Sequence, residues 1–208
     1  MSYEHDLFIS YRREHLWTGW TRDHFKKMLT SYLQQELGCR PDIFVDERIE
    51  VGSDWVDELA KHLARSRVMV AVLSGDYLAS QWCIHEMDMM LDRDGGRAGL
   101  VIPVVVHDCH PFPPPLARQQ ATDLSKFRLT HMNKKGQLYE DFSGAIKSLA
   151  PAVAQKVRTA PSFDPMWEIA LHSRFNDVFA ACAGGSPVAP VHFRVPARPS
   201  FTQPRLAP

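Results

Sequence analysis

The sequence predicts an α/β fold built on an open, mostly parallel sheet with helices on both faces. Two observations carry that prediction. Short apolar runs of the kind buried on both sides of a parallel sheet recur at Leu7-Phe8-Ile9, Ile43-Phe44-Val45, Val68–Leu73 and Leu100–Val106. Stretches with apolar residues at helical spacing lie between them, so strands alternate with helices through residue 106.

Leu7–Ile9 ends at Ser10-Tyr11-Arg12-Arg13. A helix follows, from Thr18 or Thr21 to Leu37, with Phe25, Met28, Leu29, Tyr32 and Leu33 on one side and Gly38 placed for a left-handed C-terminal cap. After Ile43–Val45, Asp46 to Gly52 is a polar loop. Ser53 caps the next helix, whose buried stripe is Val56, Leu59, Ala60 and Leu63. Val68–Leu73 leads through a loop, Ser74–Ala79, to a helix capped by Ser80. Cys83, Met87, Met90 and Leu91 form its buried stripe, while Trp82 and Glu86, four apart, share a face at the rim between core and solvent. Asp94-Gly95-Gly96 ends it. Pro103 is a blemish in the fourth strand, since proline cannot donate to a ladder and prefers an edge or a bulge.

His107–Pro115, with four prolines, is irregular, and Asp123–Phe127 holds a short edge strand. Gln137 to about Val157 is helical, with Phe142, Ile146, Leu149 and Val153 at a period of 3.6. From residue 159 the character changes. Asp164-Pro165 is a helix start, and Trp167, Leu171, Phe175, Val178 and Cys182 recur on one face that must be buried on the body or on a partner. Six prolines mark 184–208 as a linker or docking tail. Three segments are thus expected: 1–158, the helical extension 159–183, and the Pro/Arg-rich tail 184–208.

Lys plus Arg and Asp plus Glu both number 24, which leaves no basic excess for nucleic acid; residues 1–177 carry 21 basic against 24 acidic side chains and the tail is basic. No apolar run approaches the length of a membrane span. The N-terminus lacks a charged-then-apolar signal segment, and four scattered cysteines read as free thiols, so a cytoplasmic protein is expected. His107-Asp108-Cys109-His110 is rejected as a metal centre, because adjacent residues of an extended loop rarely converge on one ion. No metal is expected.

Ligands of such sheets sit outside the carboxyl ends of the strands, where Ser10–Arg12, Asp46–Gly52 and Ser74–Trp82 fall. Here the residues resemble a known family. His5-Asp6-Leu7-Phe8-Ile9-Ser10-Tyr11-Arg12-Arg13 closely resembles the first signature box of Toll/interleukin receptor (TIR) domains. Glu50-Val51-Gly52-Ser53-Asp54-Trp55 and Val68–Ser74 follow in the family's order, and Ser80-Gln81-Trp82-Cys83-Ile84-His85-Glu86 is similar to the Trp-x-x-x-Glu element of its enzymatic, prokaryotic-type members. The resemblance covers residues 3–157 and departs at the Pro-rich 107–116, where the family's fourth helix is shortened or absent. It implies a flavodoxin-like fold with a five-stranded parallel sheet.

For function, the resemblance implies cleavage of NAD⁺ between nicotinamide and ribose to give ADP-ribose or a cyclic isomer, with NAD⁺ as substrate and no cofactor, in antiviral or other immune defence. Nicotinamide leaves as a neutral molecule, so no general acid is needed, unlike ordinary glycosidases with their two carboxylates. One carboxylate that stabilises an oxocarbenium-like ribose and holds its hydroxyls suffices, and Glu86 is assigned that role; its loss should cost on the order of 10²-fold in rate or more. Trp82 supplies an apolar wall, Arg12 a pyrophosphate contact, Phe8 and Ser10 line the pocket, and Trp55 faces either ligand or a neighbouring subunit. The resemblance also implies activation by TIR–TIR self-association through Asp46, Glu47, Arg48 and Gly52, with a sensor domain or partner protein reached through the C-terminal segment. The rival class is a non-catalytic adaptor using the same surfaces only for assembly. A nucleoside transferase of flavodoxin-like fold is a third reading, which leaves the Phe-Ile-Ser-Tyr-Arg-Arg box unexplained.

Overall fold

The computed structural model describes residues 2–13, 15–45, 55–95, 99–107, 109, 111–114, 116–117, 119–127 and 136–183. Five strands, β1 (His5–Tyr11), β2 (Ile43–Val45), β3 (Ser66–Leu73), β4 (Val101–Val105) and β5 (Thr122–Asp123), pair in parallel in the order β2-β1-β3-β4-β5. This is the flavodoxin-like sheet that the sequence predicts. The helices are α1 (His15–Trp20), α2 (Lys27–Leu37), α3 (Trp55–Ala64), α4 (Gly75–Ala79), α5 (Gln81–Arg93), α6 (Gln137–Thr159) and α7 (Pro165–Ala183).

Right-handed crossovers dictate where the helices go. The chain steps one way from β1 to β2 and the other way from β2 through β3 to β4, so α1 and α2 cover one face while α3 and α5 cover the opposite one. Accordingly α3 and α5 pack against β1, and α2 packs with α6. Covered on both faces, β1 and β3 are buried from Leu7 to Tyr11 and from Val68 to Leu73. Ser10 is the polar residue within that run of β1, paired in register with Ala71.

Several local expectations hold for identifiable reasons. Gly38 takes the left-handed conformation (φ 76°) and its N–H caps Gln34 O at 3.0 Å. The apolar stripes of α3 and α6 are buried as spaced. Pro103 sits inside β4 without breaking the ladder. Val106 N–H donates to Leu73 O and Leu124 N–H to Val105 O, so even positions of β4 address β3 and odd ones β5. The missing donor of Pro103 therefore points toward β5, which begins only opposite Val104.

Other expectations are corrected. The first helical stretch starts at His15 and contains a π-helical turn, Thr21–Lys26. That wider turn aligns residues five apart: Trp20 stacks on Phe25 (5.3 Å between centroids), and its indole N–H donates to Phe127 O at 2.6 Å. The fifth strand is Thr122–Asp123, and Ser125–Phe127, expected within it, is a single 3₁₀ turn. Ser74–Ala79, expected as a loop, holds α4, whose cap Ser74 Oγ accepts Tyr77 N–H at 3.1 Å. Five residues are too few to show a helical period. The Asp46–Gly52 loop, Ser53 and the tail 184–208 lie outside the described residues.

The helix expected in 159–183 is α7, started by Asp164 Oδ1 accepting Met166 N–H at 2.9 Å. It lies along α3 and buries Leu171 and Phe175 completely. Polar contacts hold its start and its middle: Arg65 donates to both oxygens of Glu168, Arg174 pairs with Asp92, and ahead of the helix Tyr3 donates to Pro161 O at 2.8 Å. Among the described residues, no helix is long and apolar enough to cross a membrane.

The docking of α7 is checked by Phe175→Ala, expected to cost about 3 kcal/mol as a large-to-small change at a fully buried site. Urea unfolding should show a lower midpoint with an unchanged m-value; an unchanged midpoint would mean that α7 does not contribute to the fold.

Candidate active site

Three segments that the sequence separates meet at the carboxyl edge of the sheet: the end of β1, the turn after β3, and α5. Ser80 starts α5, its Oγ accepting Cys83 N–H at 3.4 Å, and the helix packs on β1, β3 and β4. Glu86 is thereby pressed against β1. Ser10 Oγ donates to Glu86 Oε2 at 2.5 Å and lies 3.0 Å from the Tyr77 hydroxyl, which donates to Cys83 O at 3.1 Å. Among the described residues Glu86 Oε1 has no hydrogen-bond partner.

Glu86 is 6% exposed, so the expectation of a carboxylate at the rim is corrected: it is inside. Burial pushes its pKa up to about 7, against the opposing pull of the Ser10 hydrogen bond and of Arg13. The same burial holds the Cys83 thiol at about 12 and the Tyr77 phenol well above its ordinary value. Cys83 is therefore a packed thiol, its Sγ 3.8 Å from Tyr11 O, and not a nucleophile.

Arg12 Nη1 donates to Ser80 Oγ at 3.2 Å, which sets the guanidinium at the positive end of α5. Trp82, half-buried one turn before Glu86, lies 4.7 Å from Trp55 edge-on and 6.2 Å from Phe175 nearly parallel. Trp82 and Trp55 are thus brought together, braced from behind by the C-terminal helix. Phe8 is wholly buried, stacked on Phe44 at 5.4 Å, and forms packing two residues before Ser10 on the strand. Asp46, Glu47, Arg48 and Gly52 lie outside the described residues.

Sequence reasoning passes over Tyr77, which the fold places at the centre of the hydroxyl cluster. The available signal is Ser74 three residues before it, a cap that predicts a helical turn and so a fixed direction for the aromatic. His85 and Asp88 are also buried; burial and then Arg174 lower the His85 pKa, while burial with Asp92 lifts Asp88 to about 6.

A family model described as TIR domain matches residues 7–137. The chain is similar to the disease resistance-like protein DSC1 of Arabidopsis thaliana, 32% identical over 105 residues, which are 50% of this chain and 8% of that protein. It is also similar to the disease resistance protein TAO1 of Arabidopsis thaliana, 26% identical over 159 residues, 74% of this chain and 12% of that one. The chain spans about a tenth of the length of these curated relatives. Among solved structures, the TIR domain of the Toll-related Receptor TRR-2 from Hydra magnipapillata aligns with a TM-score of 0.44 and 16% identity, over 69% of this chain and 98% of that one.

The buried carboxyl has a consequence for stability. With a folded pKa near 7 against an ordinary 4.5, the native state binds the Glu86 proton more tightly than the unfolded chain does. The stability linked to that proton is fully present below about pH 4.5 and is lost as pH rises through about 7, a difference of about 3 kcal/mol. Glu86→Gln keeps an acceptor for Ser10 and cannot ionise. It is expected to gain about 3 kcal/mol over the native protein at pH 8 relative to its standing at pH 4, measured by urea unfolding at both values. An offset that does not change with pH would overturn the assignment.

Proposed function

The chain belongs to the TIR-domain family, and on that premise we propose that it is an NAD⁺ glycohydrolase with Glu86 as its catalytic carboxylate. The observation that carries this reading is the dehydrated Glu86, held by Ser10 through Oε2 with Oε1 left to accept from a ligand. Nicotinamide is a pyridinium in NAD⁺ and departs neutral, so the protein need only stabilise positive charge developing on the ribose. An ionised carboxylate in a region of low dielectric does so far better than one in water. Its free oxygen is suited to a ribose hydroxyl.

The other assigned roles follow from position. Arg12 and the positive end of α5 together suit the pyrophosphate. Trp82, braced by Trp55 and Phe175, offers its open face to nicotinamide or ribose. Phe8 supports Ser10 from below, and Ser10 orients the carboxylate and helps it to ionise. Asp46, Glu47, Arg48 and Gly52, which lie outside the described residues, are assigned the contact between units whose association switches on the enzyme on the family resemblance alone. The names of the plant relatives support a role in disease resistance; the cytoplasmic setting and the product, ADP-ribose or a cyclic isomer, are proposed on the family resemblance alone.

The test is nicotinamide release from NAD⁺ by concentrated or artificially clustered protein. Glu86→Ala is expected to lower the rate on the order of 10²-fold or more. Equal release from both proteins would sink the catalytic assignment, and no release from either under clustering would favour the adaptor reading.

Because the ionised form is the active one, the rate should rise with pH through about 7. Ser10→Ala removes a hydrogen bond that favours ionisation, so its profile should move to higher pH, with activity at pH 7 reduced and partly recovered in more alkaline buffer. A uniform loss at every pH would show that Ser10 acts by some other means.

A further inference from the structure

At the opposite, amino end of β1 a chain of four polar side chains runs from Asp42, just ahead of β2, to α3. His5 Nδ1 lies 2.6 Å from Asp42 Oδ1, His5 Nε2 lies 2.9 Å from His62 Nδ1, and His62 Nε2 lies 3.5 Å from Glu58 Oε2. Both rings are held in place. Asp42 orients His5, and Phe44 stacks on His62 with centroids 4.0 Å apart and planes 19° from parallel.

The Asp42 carboxylate carries no hydrogen, so its 2.6 Å contact takes the N–H of His5 Nδ1 and leaves His5 Nε2 with a lone pair turned toward His62. His62 Nε2 stands 3.5 Å from Glu58 Oε2, an ion-pair distance rather than a hydrogen bond, so neutral His62 can carry its hydrogen on either nitrogen. With the hydrogen on Nδ1 the two rings share an ordinary hydrogen bond; with it on Nε2, toward Glu58, both inner nitrogens present lone pairs 2.9 Å apart, the arrangement that two metal-binding imidazoles require.

We propose that His5, His62 and Glu4 form a binding site for a divalent transition-metal ion of the zinc type, seated between His5 Nε2 and His62 Nδ1. One ligand atom from each of the three residues lies within 4.8 Å of the others. Imidazole nitrogens bind Zn²⁺ at about 2.0–2.1 Å, which at a tetrahedral angle places two of them roughly 3.3 Å apart, so the rings need separate by only a few tenths of an ångström. Asp42 supplies for His5 what a metal-bound histidine requires, a carboxylate on the second ring nitrogen that fixes the tautomer and raises basicity, and Glu58 stands 3.5 Å from the second nitrogen of His62. Glu4 is itself oriented by Arg65, which Glu168 of α7 also grips. The carboxylates of Glu4, Asp42, Glu58 and Glu168 outnumber the nearby cations Lys61 and Arg65, so the local field favours a cation.

The site would join β1, α3 and the segment preceding β1. It lies five residues along the strand from Ser10, about 16 Å away, so the metal takes no part in chemistry at Glu86. It departs from the sequence expectation that no metal is bound, and it does not depend on the proposed glycohydrolase activity.

Chelator-treated full-length protein is titrated with Co²⁺, read by its visible ligand-field bands, and then with Zn²⁺ as competitor, with thermal unfolding in parallel. One equivalent should bind, Zn²⁺ should displace Co²⁺, and Zn²⁺ should raise the unfolding midpoint. His5→Gln with His62→Gln should abolish all three, and Asp42→Asn, which touches no metal, should weaken binding about 10–100-fold. Cys109→Ser with His107→Gln should leave binding intact. The proposal is overturned by absence of saturable binding below millimolar metal, by retention of binding in the double histidine variant, or by its loss in the Cys109/His107 variant. Circular dichroism of each variant confirms that it is folded.

Discussion

One short hydrogen bond, from Ser10 Oγ to Glu86 Oε2, joins an interior strand to the helix laid across it in a largely buried place. A carboxyl group in such a position is costly unless something holds it, and a single hydroxyl is a modest return. What sustains the arrangement is the surrounding packing. The register of β1 against β3, the cap at Ser80 and the buried thiol and methionines of α5 leave Glu86 with only 6% of its surface exposed. The fold tolerates an acid that would be replaced if stability were all that mattered. Residues held against their solvation preference in this way cluster at functional sites.

The C-terminal helix changes the reading of α5 as much as the sheet does. A helix on the face of an isolated five-stranded sheet should be wet on its outer side. Here His85 and Asp88 are buried as well as the apolar stripe, Arg174 of α7 lies close enough to Asp88 and His85 to act on both electrostatically, and Phe175 lies on Trp82. Trp82 thereby becomes a braced aromatic rather than a free one, with its orientation determined by Trp55 on one side and Phe175 on the other. A segment outside the matched family region, residues 7–137, thus helps to shape the aromatic side of the candidate site.

β1 carries a polar constellation at each end, and the two differ in kind. At its carboxyl end one acid is buried and held by the neutral Ser10 hydroxyl, with that of Tyr77 behind it. At its amino end two imidazoles lie in a half-open setting among several carboxylates. The first is suited to stabilising a transient positive charge, the second to holding a permanent one. The hydrophobic run Leu7–Ile9 separates them.

Much of this was legible in the residues themselves. The alternation of apolar runs with helical periods determined the sheet and its parallel sense, and Ser80, Gly38 and Asp164 determined helix ends, because capping is local chemistry that depends on a few neighbours. The ordered boxes from His5 to Glu86 pointed to the family and to Glu86. What the sequence could not show is whatever depends on groups far apart along the chain. Helical periodicity put Glu86 at a rim, and only the contact with Ser10, 76 residues away, with Tyr77 beside it, made it a buried acid with a raised pKa. The pairing of His5 with His62 is likewise invisible until β1 and α3 are packed together. Local patterns encode elements and their caps, while burial and proton affinity belong to the neighbours that tertiary packing brings.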